Sequence, residues 1–464
     1  MRANAKEVGA SADARGAGRT GAWPGRAAAA AAMRGGAGAR ARGRASAFAV
    51  GRSALSGRTR AVGLALAGAA LAAFLLPASP LHAQIAVRGE TVYTMAGPPI
   101  QDGVVLIGRD GKIERVGPAA RVAVPDEYRT LTAKVVTPGL IDAHSVVGLA
   151  GYLNQDHDQD QLERSNAIQP ELRAFDAYNA RERLVEWLRE HGITTVHTGH
   201  GPGALMSGQT MIVKTRGETV GEALVDSVTM VAMTLGPEVA RNYDGRPGTR
   251  AKGVALIRAQ LIKAQDYLRK LEDGDDPPRD LKLEILARVL RGEVPALITA
   301  QRATEILAAL RLQREFGFRL VLDGAAESYD LIEEIKAAGV PVILHPTMAR
   351  HNGTLENATM ETARRLRDAG IRVALQSGYE GYVPKTRVVL FEAAMAAAYG
   401  LPFEQALATV TIDAARILGI DDRVGSLEPG KDGDVVLFNG DPFEYTSHVC
   451  TVLIEGRVVS QRCR

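Results

Sequence analysis

Cysteine is nearly absent from this 464-residue sequence, which has only Cys450 and Cys463. They flank a hairpin that turns at Glu455-Gly456, with Cys463 two residues out of register. The sequence therefore leaves two readings open, a disulfide in an oxidising compartment or two free thiols. Long apolar runs are scarce as well. Only residues 61–76 approach the length of a membrane span, and no later stretch is long and apolar enough to cross a bilayer. No Ser–His–Asp or Cys–His arrangement stands out to support nucleophilic catalysis. The body of the chain also lacks positive charge. The net charge of +3 hides a segregation: the first 83 residues hold 12 of the 56 Lys/Arg and 2 of the 53 Asp/Glu, which leaves the remainder at −7. A mildly acidic body has no electrostatic footprint for nucleic acid, so no such partner is expected.

The basic N-terminal tract has two parts. Residues 1–57 are rich in Ala, Gly and Arg and show no apolar period. They read as a disordered low-complexity tract or as an over-extended start of the reading frame. Residues 58–83 read as a signal peptide. Arg58 and Arg60 precede the apolar run, and a cleavage site follows Leu81-His82-Ala83. An uncleaved anchor is the other reading. No cysteine follows the site, which argues against a lipoprotein. The expectation is an exported protein, periplasmic or extracellular, that is not integral to the membrane after cleavage.

Beyond residue 83, short alternating apolar runs with glycine turns fill residues 84–134, and the pattern returns over 425–464. Neither set has enough strands for a stable sheet alone, so the two are expected to pack as one small β-sandwich. The middle, 135–424, alternates buried strands with amphipathic helices, as a parallel sheet with helical crossovers requires. Eight strands are expected: one opening at Val135, then 193–196, 210–214, 228–233, 294–298, 317–322, 339–344 and 370–375. Eight strand–helix units suggest an α/β fold with a closed (β/α)8 TIM-like barrel, whose working end is the C-terminal tips of its strands. An open doubly wound sheet is the runner-up. Residues 251–290 read as an added helical excursion, broken at Pro277-Pro278.

Three stretches carry a family resemblance: Pro138-Gly139-Leu140-Ile141-Asp142-Ala143-His144, the run from Gly425 through Gly430-Lys431-Asp432-Gly433-Asp434 to Leu437, and the terminal Glu455-Gly456-Arg457-Val458-Val459. Together they resemble the amidohydrolase superfamily, and the middle of the chain is similar to its imidazolonepropionase-related branch. The resemblance implies the barrel and the terminal sandwich. It also implies hydrolysis of non-peptide C–N bonds, such as those of cyclic amides, at one or two divalent metals, commonly zinc, that activate water.

The ligand positions that the family fills are mostly replaced here. His144 remains as the sole retained metal ligand, whereas Val146, Thr299, Gly324 and Gly378 stand where the second strand-1 ligand and the strand-5, strand-6 and strand-8 ligands are expected. Catalytic zinc normally takes three protein ligands, so the expectation is a degenerate site, no likely cofactor and doubtful catalysis. Candidate polar residues at the barrel mouth are Asp142, His144, His197, His200, Gln301, Asp323, His345, Gln376 and Tyr379. Several features carry paired readings. Asp142 either joins the site or orients His144. The Gly-rich loop 199–208 either offers amides to an anion or is a plain turn. Residues 376–387 form either a lid or partner surface, or a packed loop. His157 among Asp156, Asp158 and Asp160 either attracts a cation or lies in a solvated loop. Two functions compete: a C–N hydrolase, and a non-catalytic pseudoenzyme that binds a small-molecule ligand, as a homo-oligomer or paired with an intact homologue.

Overall fold

The computed structural model describes residues 83–153, 155–346, 351–378 and 389–463. The N-terminal tract, the signal segment up to residue 82, Tyr379 and most of the 376–387 loop lie outside the described residues. Among the described residues no helix is long and apolar enough to cross a membrane.

The chain opens with β1 (Ile85–Val92), β2 (Ile100–Ile107), β3 (Ile113–Pro118) and β4 (Arg129–Pro138). The middle contains β5 (Leu140–Ser145), α1 (Arg183–Glu190), β6 (Ile193–Thr198), β7 (Met206–Gln209), β8 (Met211–Lys214), α2 (Val220–Ala223), β9 (Leu224–Asp226) and β10 (Val231–Leu235). It continues with α3 (Pro237–Asn242), α4 (Arg250–Glu272), α5 (Leu281–Leu290), β11 (Ala296–Ala300), α6 (Ala303–Phe316), β12 (Leu320–Gly324), α7 (Ile332–Ala338) and β13 (Val342–Leu344). Then follow α8 (Thr362–Asp368), β14 (Val373–Leu375), α9 (Val389–Ala398), α10 (Phe403–Thr409) and α11 (Ile412–Leu418), and the chain closes with β15 (Val435–Phe438), β16 (Val449–Ile454) and β17 (Arg457–Ser460).

Hydrogen bonding joins the two ends of the chain. One seven-stranded sheet has the order β17-β16-β15-β4-β1-β2-β3, so C-terminal β15 pairs with N-terminal β4. Alternation along these strands buries one apolar face, including Val87, Val105, Val136, Val435 and Leu453. Cys450 and Cys463 form a disulfide. The two-residue offset is absorbed because Cys463 lies beyond the end of β17, where the chain has left the ladder.

The stretch that opens at Val135 is two strands rather than one. Val135–Pro138 end β4 in the terminal sheet, and β5 starts afresh at Leu140. Pro138 has no N–H for a ladder. Gly139 provides the close approach at the crossing, because a Cβ there would lie 2.1 Å from Thr194 Oγ1.

The middle strands form a six-stranded sheet, β14-β13-β12-β11-β10-β7, and a four-stranded sheet, β5-β6-β8-β9. The run from β10 to β14 is parallel, with crossover helices between its strands. The pairings β6–β8 and β7–β10 are antiparallel, against the expectation of a uniformly parallel set. No helix separates β6 from β8: residues 199–210 hold β7 instead of the crossover helix that usually joins parallel strands. The two sheets touch through Thr210, whose amide donates to Met230 O at 2.9 Å, and through a bridge between Ser145 and Gly378. They also share one apolar cluster: Ile141 and Ala143, Ile212, Met230, Leu297, Val321, Ile343 and Ala374, covered by Ala414, Ile417 and Leu418 of α11. The proline pair falls between α4 and α5, as its position predicts.

Candidate functional site

Period-2 alternation builds a second layer above that apolar cluster. Two residues beyond Leu297, Val321, Ile343 and Ala374 come Thr299, Asp323, His345 and Gln376, all toward the strands' C-terminal ends. Each is buried. His144 joins them from β5, where the pairing with β6 is irregular between Asp142 and Ser145.

Asp323 is the hub. Its Oδ1 lies 2.9 Å from His144 Nδ1 and accepts from Gln376 Nε2 at 2.9 Å, while Oδ2 accepts from the Thr299 hydroxyl at 2.6 Å. Burial pushes this carboxyl up, but its neighbour His144 and the hydrogen bonds from His144, Thr299 and Gln376 outweigh it and hold the pKa below the ordinary value. Asp323 is therefore ionised, and His144 Nδ1 is the donor in their pair.

Asp142 faces elsewhere. Its Oδ1 accepts from the amides of His144 at 3.3 Å and Ser377 at 3.0 Å, and its Oδ2 accepts from the Ser377 hydroxyl. Burial raises its pKa to about 6 against those bonds. Asp142 thus ties β5 to the chain beyond β14 and bonds the backbone of His144, not its ring. Ser377, which no motif singled out, is its main partner.

His197 is fully engaged. Nδ1 donates to Ala143 O at 2.7 Å, since a carbonyl only accepts. Nε2 must then accept, and the Thr210 hydroxyl donates to it at 2.6 Å. Burial, with the neighbouring His144, pulls the pKa to about 3. His200 is buried, its pKa drawn down to about 4 by burial. The Asp160 backbone lies near enough to oppose that slightly, yet among the described residues neither ring nitrogen has a hydrogen bond of good geometry. Gln301 braces the loop after β12, where its Oε1 accepts from Ala326 N at 3.3 Å.

The position that meets His144 is Asp323, not Gly324. Gly324 has φ +76°, and a Cβ built on it would lie 2.3 Å from Gln301 Nε2. Gly378 has φ +86°, and its Cβ would meet Pro346 Cγ at 2.7 Å. Both sit in left-handed backbone that disfavours side chains, so neither presents a ligand position facing His144. Val146 is buried in the turn after β5, where Leu149 and Ala150 donate to its carbonyl.

Three amides of the Gly-rich loop bond within the chain. Gly199 N donates to Ser145 O, Gly201 N to Gln161 O and Gly203 N to Thr234 Oγ1, so these amides are engaged. His157 is exposed in a short turn, apart from the buried layer. A catalytic divalent metal needs about three protein ligands. Among the described residues no group of three His, Cys, Asp or Glu side chains is placed to hold one. The His144 nitrogen facing Asp323, both nitrogens of His197, and Asp323 itself are in hydrogen bonds.

Comparison with known proteins adds context. The model of the amidohydrolase family matches residues 305–459. A solved amidohydrolase from Thermotoga maritima MSB8 is 32% identical with a TM-score of 0.77, covering 82% of this chain and 100% of that one. An imidazolonepropionase of Rhizorhabdus wittichii is 28% identical over 385 residues, covering 76% of this chain and 92% of the relative. The amidohydrolase tasK of Hapsidospora irregularis is 24% identical over 388 residues, and the match spans only 39% of its length.

Proposed function

Because this chain belongs to the amidohydrolase family and has an α/β fold related to TIM-barrel enzymes, we propose that it is a metal-degenerate member that binds a small molecule in its polar interior. The observation that carries this reading is the Asp323 hub. A carboxylate stands beside His144, bonded to Thr299 and Gln376, where a metalloenzyme would gather ligands around a cation. A buried carboxylate with three donors is satisfied by its neighbours. In this reading the two inner sheets form a (β/α)8 barrel and the terminal sheet belongs to a small sandwich. The protein is exported after loss of residues 58–83, which the Cys450–Cys463 disulfide supports, since such bonds persist in oxidising compartments. It acts alone, as a homo-oligomer, or beside an intact homologue.

The alternative is a hydrolase of cyclic-amide C–N bonds, favoured by the likeness to imidazolonepropionases. One experiment separates the two. Zinc, manganese and iron are measured in the purified protein, and cyclic-amide hydrolysis is assayed with and without chelator. The expected result is sub-stoichiometric metal and no chelator-sensitive turnover. Stoichiometric metal with turnover that chelator abolishes would sink the proposal.

A further inference from the structure

Two buried side chains, each with an acceptor atom to spare, follow the paired strands β13 and β14. These strands pair in parallel with Leu344 opposite Leu375. The next residues, His345 and Gln376, are therefore neighbours about 4.8 Å apart across the ladder. Each lies two residues beyond a residue of the shared apolar cluster, Ile343 or Ala374, so both side chains turn inward. His345 is 2% exposed and Gln376 0%.

The hydrogen bonds these two side chains already make fix what they still lack. His345 Nδ1 lies 2.7 Å from Pro346 O. A carbonyl only accepts, so Nδ1 holds the proton and Nε2 is left as an acceptor. Burial draws the ring's pKa to about 4, which keeps this neutral tautomer at pH 7. The Gln376 amide is oriented by the Asp323 carboxylate, which requires its NH2 end, and Oε1 faces away as a second acceptor. Among the described residues neither His345 Nε2 nor Gln376 Oε1 has a hydrogen-bond partner. Leaving such a buried atom unsatisfied is costly.

Both atoms lack the same thing, a donor. We propose that His345 and Gln376 form a recognition point for a ligand head carrying two adjacent N–H groups, such as an amidinium, a guanidinium or a urea. The inference rests on reading the interior as a binding site. The chemistry excludes other heads. A carboxylate would meet lone pairs on both atoms and the Asp323 charge behind Gln376. Two neutral acceptors are too few for a divalent cation. A planar N–H head supplies two donors, and positive charge on it is favoured by the nearby buried carboxylate.

The test uses calorimetric titration of the full-length protein with acetamidinium and urea, against acetate and tetramethylurea as heads without N–H donors. Acetamidinium and urea should bind, and the two controls should not. His345→Phe keeps a ring without the acceptor and should weaken acetamidinium about ten-fold, the value of one hydrogen bond. His345→Gln, which restores an acceptor, should recover part of that loss. Equal binding of tetramethylurea, an unchanged affinity in a folded His345→Phe, or no response to any N–H probe each overturns the proposal; the last result means water fills the site. If His345→Phe does not fold, the wild-type protein labelled with 15N-histidine provides the same decision. Acetamidinium must then shift an unprotonated imidazole nitrogen, and no shift overturns the proposal. Metal content measured on the same sample keeps the two ideas apart. A metal-loaded active sample sinks the binding reading, whereas a metal-free sample that ignores N–H probes sinks only this inference.

Discussion

Asp323 shows how one residue sets the chemistry around it. Its carboxylate takes hydrogen bonds from His144, Thr299 and Gln376, all of them buried. Asp323→Ala should therefore cost about 3–5 kcal/mol, as removal of one member of a buried charged network does. Asp323→Asn, which keeps one acceptor oxygen, should cost less; urea unfolding of the two variants checks the order. The buried histidines make a second prediction. His197 is held near 3, and His200 and His345 near 4, against an ordinary value of 6.5. The unfolded chain binds these protons first, so the histidines' contribution is complete above pH 6.5 and is lost as pH falls toward 4 and 3. Each should remove about 1.4 kcal/mol per pH unit in that window. Asp142, held near 6, works the other way, because its protonated form is favoured in the fold as pH falls below 6. Three histidines outweigh one aspartate. Urea midpoints should therefore drop between pH 6.5 and 4, and His197→Gln should flatten the slope. A flat profile in the wild-type protein would contradict the burial of these rings. The candidate residues were legible as polar strand tips, but their roles were not. His197 and His345 look alike in sequence. Only the partners Thr210 and Ala143 show that one ring is engaged at both nitrogens and the other at one.

At the scale of elements, the parallel run was the most legible part. Gly317, Gly339 and Gly370 precede strands found at Leu320–Gly324, Val342–Leu344 and Val373–Leu375, and the glycines at 317 and 339 end their helices in left-handed backbone. A glycine stop followed by an uninterrupted apolar run is a local signal, and local signals survive without tertiary information. The antiparallel returns of β7 and β8 were not legible, because Thr210–Lys214 has the same apolar character as its parallel neighbours. Its direction goes with the lack of a crossover helix after β6, where β7 takes that place. The break at Gly139 was hidden for a similar reason. Val135–Pro138 and Leu140–Ser145 read as one apolar run, and the partner strands alone divide it between two sheets. At the same scale, Asp323 rather than the aligned Gly324 is the residue bonded to His144. Gly324 and Asp323 are adjacent, a one-residue slip reverses the facing of a strand residue, and the sequence carries no marker of which one points inward.

The whole molecule is tied together by charge where its two sheet systems meet. Lys214 ends β8 of the inner four-stranded sheet, and Asp432 and Asp434 precede β15 of the terminal sheet. The Lys214 ammonium is buried, 2.6 Å from Asp434 and 3.1 Å from Asp432. Lys112 and Arg423 approach Asp432 as well, at 2.5 and 3.2 Å, and Asp434 also accepts from the Glu455 amide. Burial pushes the Asp432 carboxyl up, but Lys214, Lys112 and Arg423 outweigh it and hold it below the ordinary range. This explains the Gly430-Lys431-Asp432-Gly433-Asp434 run physically. Its carboxylates supply the negative half of a buried clamp whose positive half lies more than two hundred residues earlier. Lys214→Met should leave two buried carboxylates short of their shared cation and cost about 3–5 kcal/mol. Adding Asp434→Asn removes one stranded charge, so the double variant should be more stable than Lys214→Met alone, although the single Asp434→Asn is destabilising. That reversal of sign is the signature of a coupled pair in a double-mutant cycle. Denaturant unfolding of the four proteins at pH 7 measures it, and additive effects would show that Lys214 and Asp434 stabilise the molecule independently.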